Sequence, residues 1–201
     1  MNAGFAGLLL FAVVMAATPG PNNVMVTASA ARFGLRRTVP HIGGVGVGFA
    51  VMLLLVGLGL GAVFVAFPLL RRVLALASMA WMLWLAWAIA RSTTAGEAGD
   101  SATARPFTFL QAALFQWVNP KAWMVAVTVV ATHAIAGPVW LSALVIALVF
   151  LCVTLPLVGT WAAAGHALGR YLTGTRFRIF NVAMAILLVA SMLPLIPEFL
   201  V

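Results

Sequence analysis

The chain has 201 residues, of which 65% are hydrophobic and 7% charged, with a formal net charge of +8. That balance excludes a water-soluble domain of this size, and a mean hydropathy of +1.17 agrees: the solvent is lipid. A pI near 11.8 invites a nucleic-acid partner, but the arginines stand in short clusters between apolar runs rather than among interleaved aromatics, so none is expected.

In chain order, six apolar runs approach or exceed the length of about 20 helical residues that a hydrocarbon core requires. The first, Gly4 to Ala31, has no positively charged leader and is expected to be retained. Within it stand Thr18, Pro19, Gly20, Pro21, Asn22 and Asn23. Neither proline donates a helical hydrogen bond and both rings strike carbonyls one turn back, so the helix must break there. A simple proline kink is the plain alternative. Two asparagines beside the freed backbone favour a cavity-lining role, because bare polar groups in hydrocarbon need partners.

The second run, Val39 to Phe67, carries Gly44, Gly48, Gly57 and Gly61, small residues that let helices approach closely and raise the expectation of a homodimer. His41 opens it. The third, Val73 to Ala90, holds Trp81, Trp84 and Trp87 on one stripe, read as an aromatic belt or as packing. A polar stretch over 91–106, rich in Ser, Thr, Gly and Ala, follows as a flexible linker with Glu97 and Asp100.

The fourth run, Phe107 to Thr132, is interrupted at Gln116, Trp117, Val118, Asn119, Pro120 and Lys121. Lys121 is the one charge inside a run, and an intramembrane lysine is costly unless it pairs, snorkels or meets water. The three acids, Glu97, Asp100 and Glu198, all lie outside the runs. Carbonyls at a helix break, loss of the proton, or a carboxylate carried by the substrate are the ways left to neutralise it in place; snorkelling from a shorter span is the structural alternative. The fifth run, Val139 to Ala164, holds Cys152, the single cysteine, and Pro156 beside Gly159, expected to kink or hinge. The sixth is Ile179 to Ile196.

The expected fold is therefore an all-α integral membrane protein, one transporter domain over 1–201. Its six transmembrane helices form two halves of three, 1–90 and 107–201, the first and fourth helices broken. Three crossings per half invert the second half, and paired broken helices mark a transporter's binding site. Placing both termini outside puts Arg32, Arg36, Arg37, Arg91, Arg105, Arg170, Arg176 and Arg178 on the cytoplasmic side and Arg71 and Arg72 on the other, as the positive-inside rule prefers. An inside N-terminus requires one run to be re-entrant.

The Thr-Pro-Gly-Pro-Asn and Gln-Trp-Val-Asn-Pro-Lys runs resemble those of the LysE/RhtB amino-acid exporter family. The resemblance spans essentially the whole chain and includes Leu83 to Ala90. Asn22-Asn23, Gly48-Phe49, Leu85-Ala86-Trp87 and the Trp161, Ala164, Gly165, His166 run are most similar to its cysteine and O-acetylserine exporter branch. The resemblance implies an inner-membrane exporter of amino acids or close derivatives, working as an antiporter on the proton gradient. Many members carry an acid where this chain has Phe49, so coupling through a carboxylate does not transfer. His41, His166, Lys121 or the substrate are then the proton-coupling candidates, with His133 a further histidine near a span end.

The residues expected to bind substrate are Thr18, Pro19, Gly20, Pro21, Asn22, Asn23, Gln116, Asn119, Pro120 and Lys121, with membrane lipid around them. No cofactor and no metal are expected, and no constellation of an intramembrane enzyme is found. A metal-ion or other small-solute exporter, or a non-transport assembly subunit, are the alternatives. The first wants carboxylates, thiolates or clustered imidazoles, and the second predicts no polar centre.

Overall fold

The computed structural model describes residues 3–61, 66–91, 105–135 and 137–193, and among them every regular element is helical. Most of the linker, with Glu97 and Asp100, and the chain end with Glu198 lie outside the described residues. Helix α1 spans Ala3–Ala17 and α2 Pro21–Phe33, and the two are bent by 50° across the break. After Gly34, whose φ of 83° is easy for glycine, α3 runs over Leu35–Leu55 and passes into a π-helical turn at Val56–Leu60. Helix α4 covers Pro68–Arg91.

The second part begins with α5, Phe109–Phe115, whose N-terminus is closed by reciprocal bonds between Thr108 and Gln111. A 3-10 turn at Gln116–Val118 follows. Asn119 is extended, and α6 restarts at Pro120 and ends at Thr132. The long α7, Val139–Gly169, stays helical through Pro156, and α8 covers Thr175–Ala190.

Two helices, Leu35–Leu60 and Val139–Gly169, are long and apolar enough to cross a membrane, and a third crossing results if α1 and α2 count as one bent span. Shorter apolar helices occupy Leu76–Arg91, Phe109–Val118 and Pro120–Thr132. The surface is that of a lipid-solvated bundle: Leu10, Leu76 and Ile186 are each more than 60% exposed.

The packing is set by small residues. A side chain at Gly44 would land on the Phe109 carbonyl and the Ala112 methyl, and one at Gly48 on Ala113, so these two glycines seat α5 against α3. Gly57 meets Ala143 of α7 in the same way. Gly61 differs from that expectation: its nearest neighbour is Val56, one turn back, and among the described residues it brings no second helix close. Gly165 and Gly169, on α7, abut the carbonyls of Thr27 and Ala31, which draws α2 onto α7. One apolar cluster joins α1, α3, α6 and α7 around Leu8, Met52, Val125, Ile146 and Phe150. A second joins α2, α4, α5 and α8 around Val24, Met82, Phe115 and Leu188.

Candidate functional site

The two interrupted helices meet. At the first break Pro19 and Pro21 withhold their donors, and Gly20 is extended, a conformation open to any residue. Its lack of a side chain matters for space instead, because a Cβ there would sit 2.8 Å from Cδ and 3.0 Å from Nζ of Lys121. Pro21 then serves as the first residue of α2, where a missing N–H costs nothing.

The freed carbonyls are satisfied locally. Asn23 Nδ2 donates to the carbonyls of Ala16 and Thr18, both at 2.9 Å, and the Thr18 hydroxyl donates to the Met15 carbonyl at 3.0 Å. At the second break Asn119 Oδ1 accepts from the Lys121 backbone N–H at 3.1 Å, capping α6.

Two cross-links join the breaks. Asn22 and Gln116 exchange amide hydrogen bonds, Asn22 Nδ2 to Gln116 Oε1 at 2.8 Å and Gln116 Nε2 to Asn22 Oδ1 at 3.1 Å. Gln116 is fully buried and also donates to the Ala112 carbonyl at 2.9 Å. The second link is Lys121. Its ammonium donates to Thr18 Oγ1 at 2.8 Å, the Thr18 carbonyl at 3.0 Å and the Pro19 carbonyl at 3.2 Å. Of the means weighed for neutralising this lysine, the structure realises the carbonyls of a broken helix. These partners are neutral and bring no negative charge to the lysine.

Beside these links lies a cavity of about 50 Å³, room for a few waters. Of the expected residues, Gly20, Pro21, Asn22, Asn23, Asn119 and Lys121 line it. Thr18, Pro19, Gln116 and Pro120 stand behind, bonding or shaping the ones that do. Met15, Ala16, Phe49, Ala122, Val125, Phe150, Thr154 and Val158 complete the wall and were not among the expected binding residues. Phe49, the position at which the chain departs from the exporter pattern, thus faces the cavity and stacks edge-on against Phe150 at 5.5 Å. Phe49 is marked in the sequence by its departure from the family's acid, but no property of Phe150 or Thr154 distinguishes them there from neighbouring core residues.

The histidines lie elsewhere. His41 is buried in α3, stacked on Phe107 at 5.3 Å, with neither ring nitrogen partnered among the described residues. His166 is exposed at a shallow recess with Gly34 and Arg170. His133 bonds the Thr132 hydroxyl at 2.7 Å and packs against Phe11. Among the described residues no three His, Cys, Asp or Glu side chains cluster as metal ligands would.

Two broken helices that lend their polar groups to one cavity inside an apolar bundle have the form of a membrane transporter's binding site. The chain belongs to the LysE type translocator family, which it matches over residues 13–195. It is 34% identical over 185 residues to the cysteine/O-acetylserine efflux proteins of Escherichia coli strain K12, Escherichia coli O9:H4 strain HS and Shigella flexneri. The alignments cover 89% of this chain and 90% of each relative. No solved structure matches the chain.

Proposed function

We propose that the protein exports small neutral amino acids or their derivatives, of the cysteine and O-acetylserine kind, across the bacterial inner membrane. The substrate binds in the cavity between the two breaks. The observation that carries this reading is Lys121: an ammonium held on a helix break by three neutral oxygens, with no acid among the described residues to pair with it. A carboxylate is a stronger partner for an ammonium than a carbonyl or hydroxyl. An amino acid entering the cavity offers one, and Lys121 exchanges Thr18 and Pro19 for it.

That exchange releases the Thr18 and Pro19 carbonyls and the Thr18 hydroxyl, which together with the amide oxygens of Asn22 and Asn119 suit the substrate's own ammonium. One event thus pairs the substrate's carboxylate with Lys121, gives its ammonium hydrogen-bond acceptors, and loosens a tie between α1–α2 and α6. The loosened tie is what lets the halves move apart.

The membrane arrangement belongs to the same proposal: six crossings in two inverted halves, α1–α2 and α5–α6 each one broken crossing, alternating access by rocking of the halves, both termini outside. The eight arginines against two favour that orientation. Export is coupled to the proton gradient, and among the candidates His41 has the most apt setting, buried and without a partner among the described residues. The small-residue faces leave a homodimer as part of the proposal.

Efflux from loaded vesicles tests the reading, using labelled cysteine, O-acetylserine, threonine and leucine with and without an imposed pH difference. Efflux of the small polar substrates, accelerated by the gradient, is expected. Vesicles that retain every amino acid yet release metal ions would overturn it.

A further inference from the structure

One residue of the cavity wall has a buried hydroxyl to which the proposed exchange gives no role. Phe150, Thr154 and Val158, spaced by four, form the stripe that α7 presents to the cavity. Thr154 is the central residue and the single polar one. It is 5% exposed, and its Oγ1 has no hydrogen-bond partner among the described residues.

That is unusual for a helical threonine in an apolar setting, where the hydroxyl commonly returns to a carbonyl one turn back. Thr27, Thr38 and Thr132 do so here, bonding the carbonyls of Asn23, Gly34 and Thr128 at 2.7, 3.0 and 2.7 Å. Thr27 also reaches the Trp161 carbonyl at 3.2 Å, so even a threonine at a helix crossing is doubly served. A buried hydroxyl left without a partner is costly, and where its residue lines a cavity the natural partner is a guest whose entry turns the hydroxyl toward it.

The positions of the other polar groups say which part of the guest it meets. Lys121, Asn22, Asn23 and Asn119 all come from the two broken helices, and in the proposed exchange Lys121, Asn22 and Asn119 serve the charged α-groups of an amino acid. Thr154 comes from a different helix, with apolar Phe49, Val125, Phe150 and Val158 completing the lining. An amino acid whose carboxylate and ammonium are held at the breaks directs its side chain to the remaining wall, which is apolar except for this hydroxyl.

We infer that Thr154 is the specificity-determining residue of the cavity, its hydroxyl hydrogen-bonding a polar atom on the β-carbon of the substrate and so favouring a hydroxyl, thiol or acyloxy group there over a methyl. The inference rests on the proposed amino-acid export. It also explains why a polar group without structural employment is kept in a core.

The test compares efflux of L-serine with efflux of L-2-aminobutyrate, which has a methyl in place of the hydroxyl, from vesicles holding wild type, Thr154→Val or Thr154→Ser at equal protein level. Wild type favours serine. Thr154→Val reduces that preference about three- to tenfold, the worth of one neutral hydrogen bond, by slowing serine while sparing aminobutyrate. Thr154→Ser retains it. An unchanged ratio in Thr154→Val, or an equal loss for both substrates, overturns the inference while leaving amino-acid export standing. A wild type that moves neither compound, nor cysteine or O-acetylserine, sinks export itself and the inference with it.

Thermal unfolding in detergent gives a second readout. With no protein partner to lose, Thr154→Val unfolds no earlier than wild type; unfolding several degrees earlier would mark the hydroxyl as structural and overturn the assignment.

Discussion

The amide pair that joins the two breaks permits a quantitative prediction. Replacing Asn22 by Leu removes both bonds to Gln116, which is fully buried and keeps one bond, to the Ala112 carbonyl. Replacing Gln116 by Leu leaves Asn22 unpaired instead, but Asn22 is half-buried and lines the cavity, where water can take the vacated bonds. The two single substitutions are therefore unequal, Asn22→Leu being the more destabilising, since an unsatisfied buried amide costs about 1–3 kcal/mol and a rehydrated one much less. Two neutral hydrogen bonds at about 0.5–1.5 kcal/mol each give a coupling of about 1–3 kcal/mol. Couplings measured between membrane helices run lower, averaging about 0.6 and reaching about 1.7 kcal/mol, so a value of about 1–1.5 kcal/mol is expected. Reversible unfolding in mixed micelles, followed by tryptophan fluorescence over the two singles and the double variant, measures it. Strict additivity, with coupling below about 0.3 kcal/mol, would refute the idea that these amides tie the breaks together.

Other outcomes follow from the same geometry. Gly165→Val and Gly44→Val each force a side chain into a neighbouring backbone carbonyl, of Thr27 and Phe109, and should lower stability by about 1–3 kcal/mol or more in the same unfolding assay. Gly159→Ala meets nothing within 4 Å on a continuous helix, so it should gain up to about 1 kcal/mol, and any loss of efflux with that gain would mark α7 as a hinge. Asn23→Leu strips the Ala16 carbonyl of its donor and leaves the Thr18 carbonyl to Lys121 alone, and should destabilise by about 1–3 kcal/mol, with the Lys121 site loosened and efflux reduced.

How far the sequence foretells this arrangement depends on whether a residue's role is covalent or spatial. Proline chemistry is covalent, so the breaks before Pro21 and Pro120 were legible, and so was the excess charge of Lys121 in an apolar run. The glycines at 44, 48 and 57 were legible as close-approach sites because the absence of a side chain serves one purpose on an apolar face. Gly61 shows the limit of that logic: glycine permits an approach without supplying a second helix. Which oxygens would hold Lys121 was not legible, since the answer needs α1 and α6 placed side by side. Thr154 was invisible because a threonine in an apolar helix normally bonds its own backbone, and the missing bond exists only in three dimensions. The π-helical turn at Val56–Leu60 left no sequence signal beyond glycines that packing already explained. His41 stands near the start of its span, as expected, and is buried against Phe107, a contact made across the linker and thus beyond local reading.

The exchange at Lys121 is tested most directly by efflux of an amino acid against its uncharged carboxamide, in wild type and Lys121→Met at equal protein level. Wild type should favour the acid by about 10- to 100-fold in kcat/KM, the worth of a charged hydrogen bond, and Lys121→Met should lose most of that preference. A Lys121→Met protein that still exports the acid at the wild-type rate and with the same preference would contradict the proposed role of the lysine.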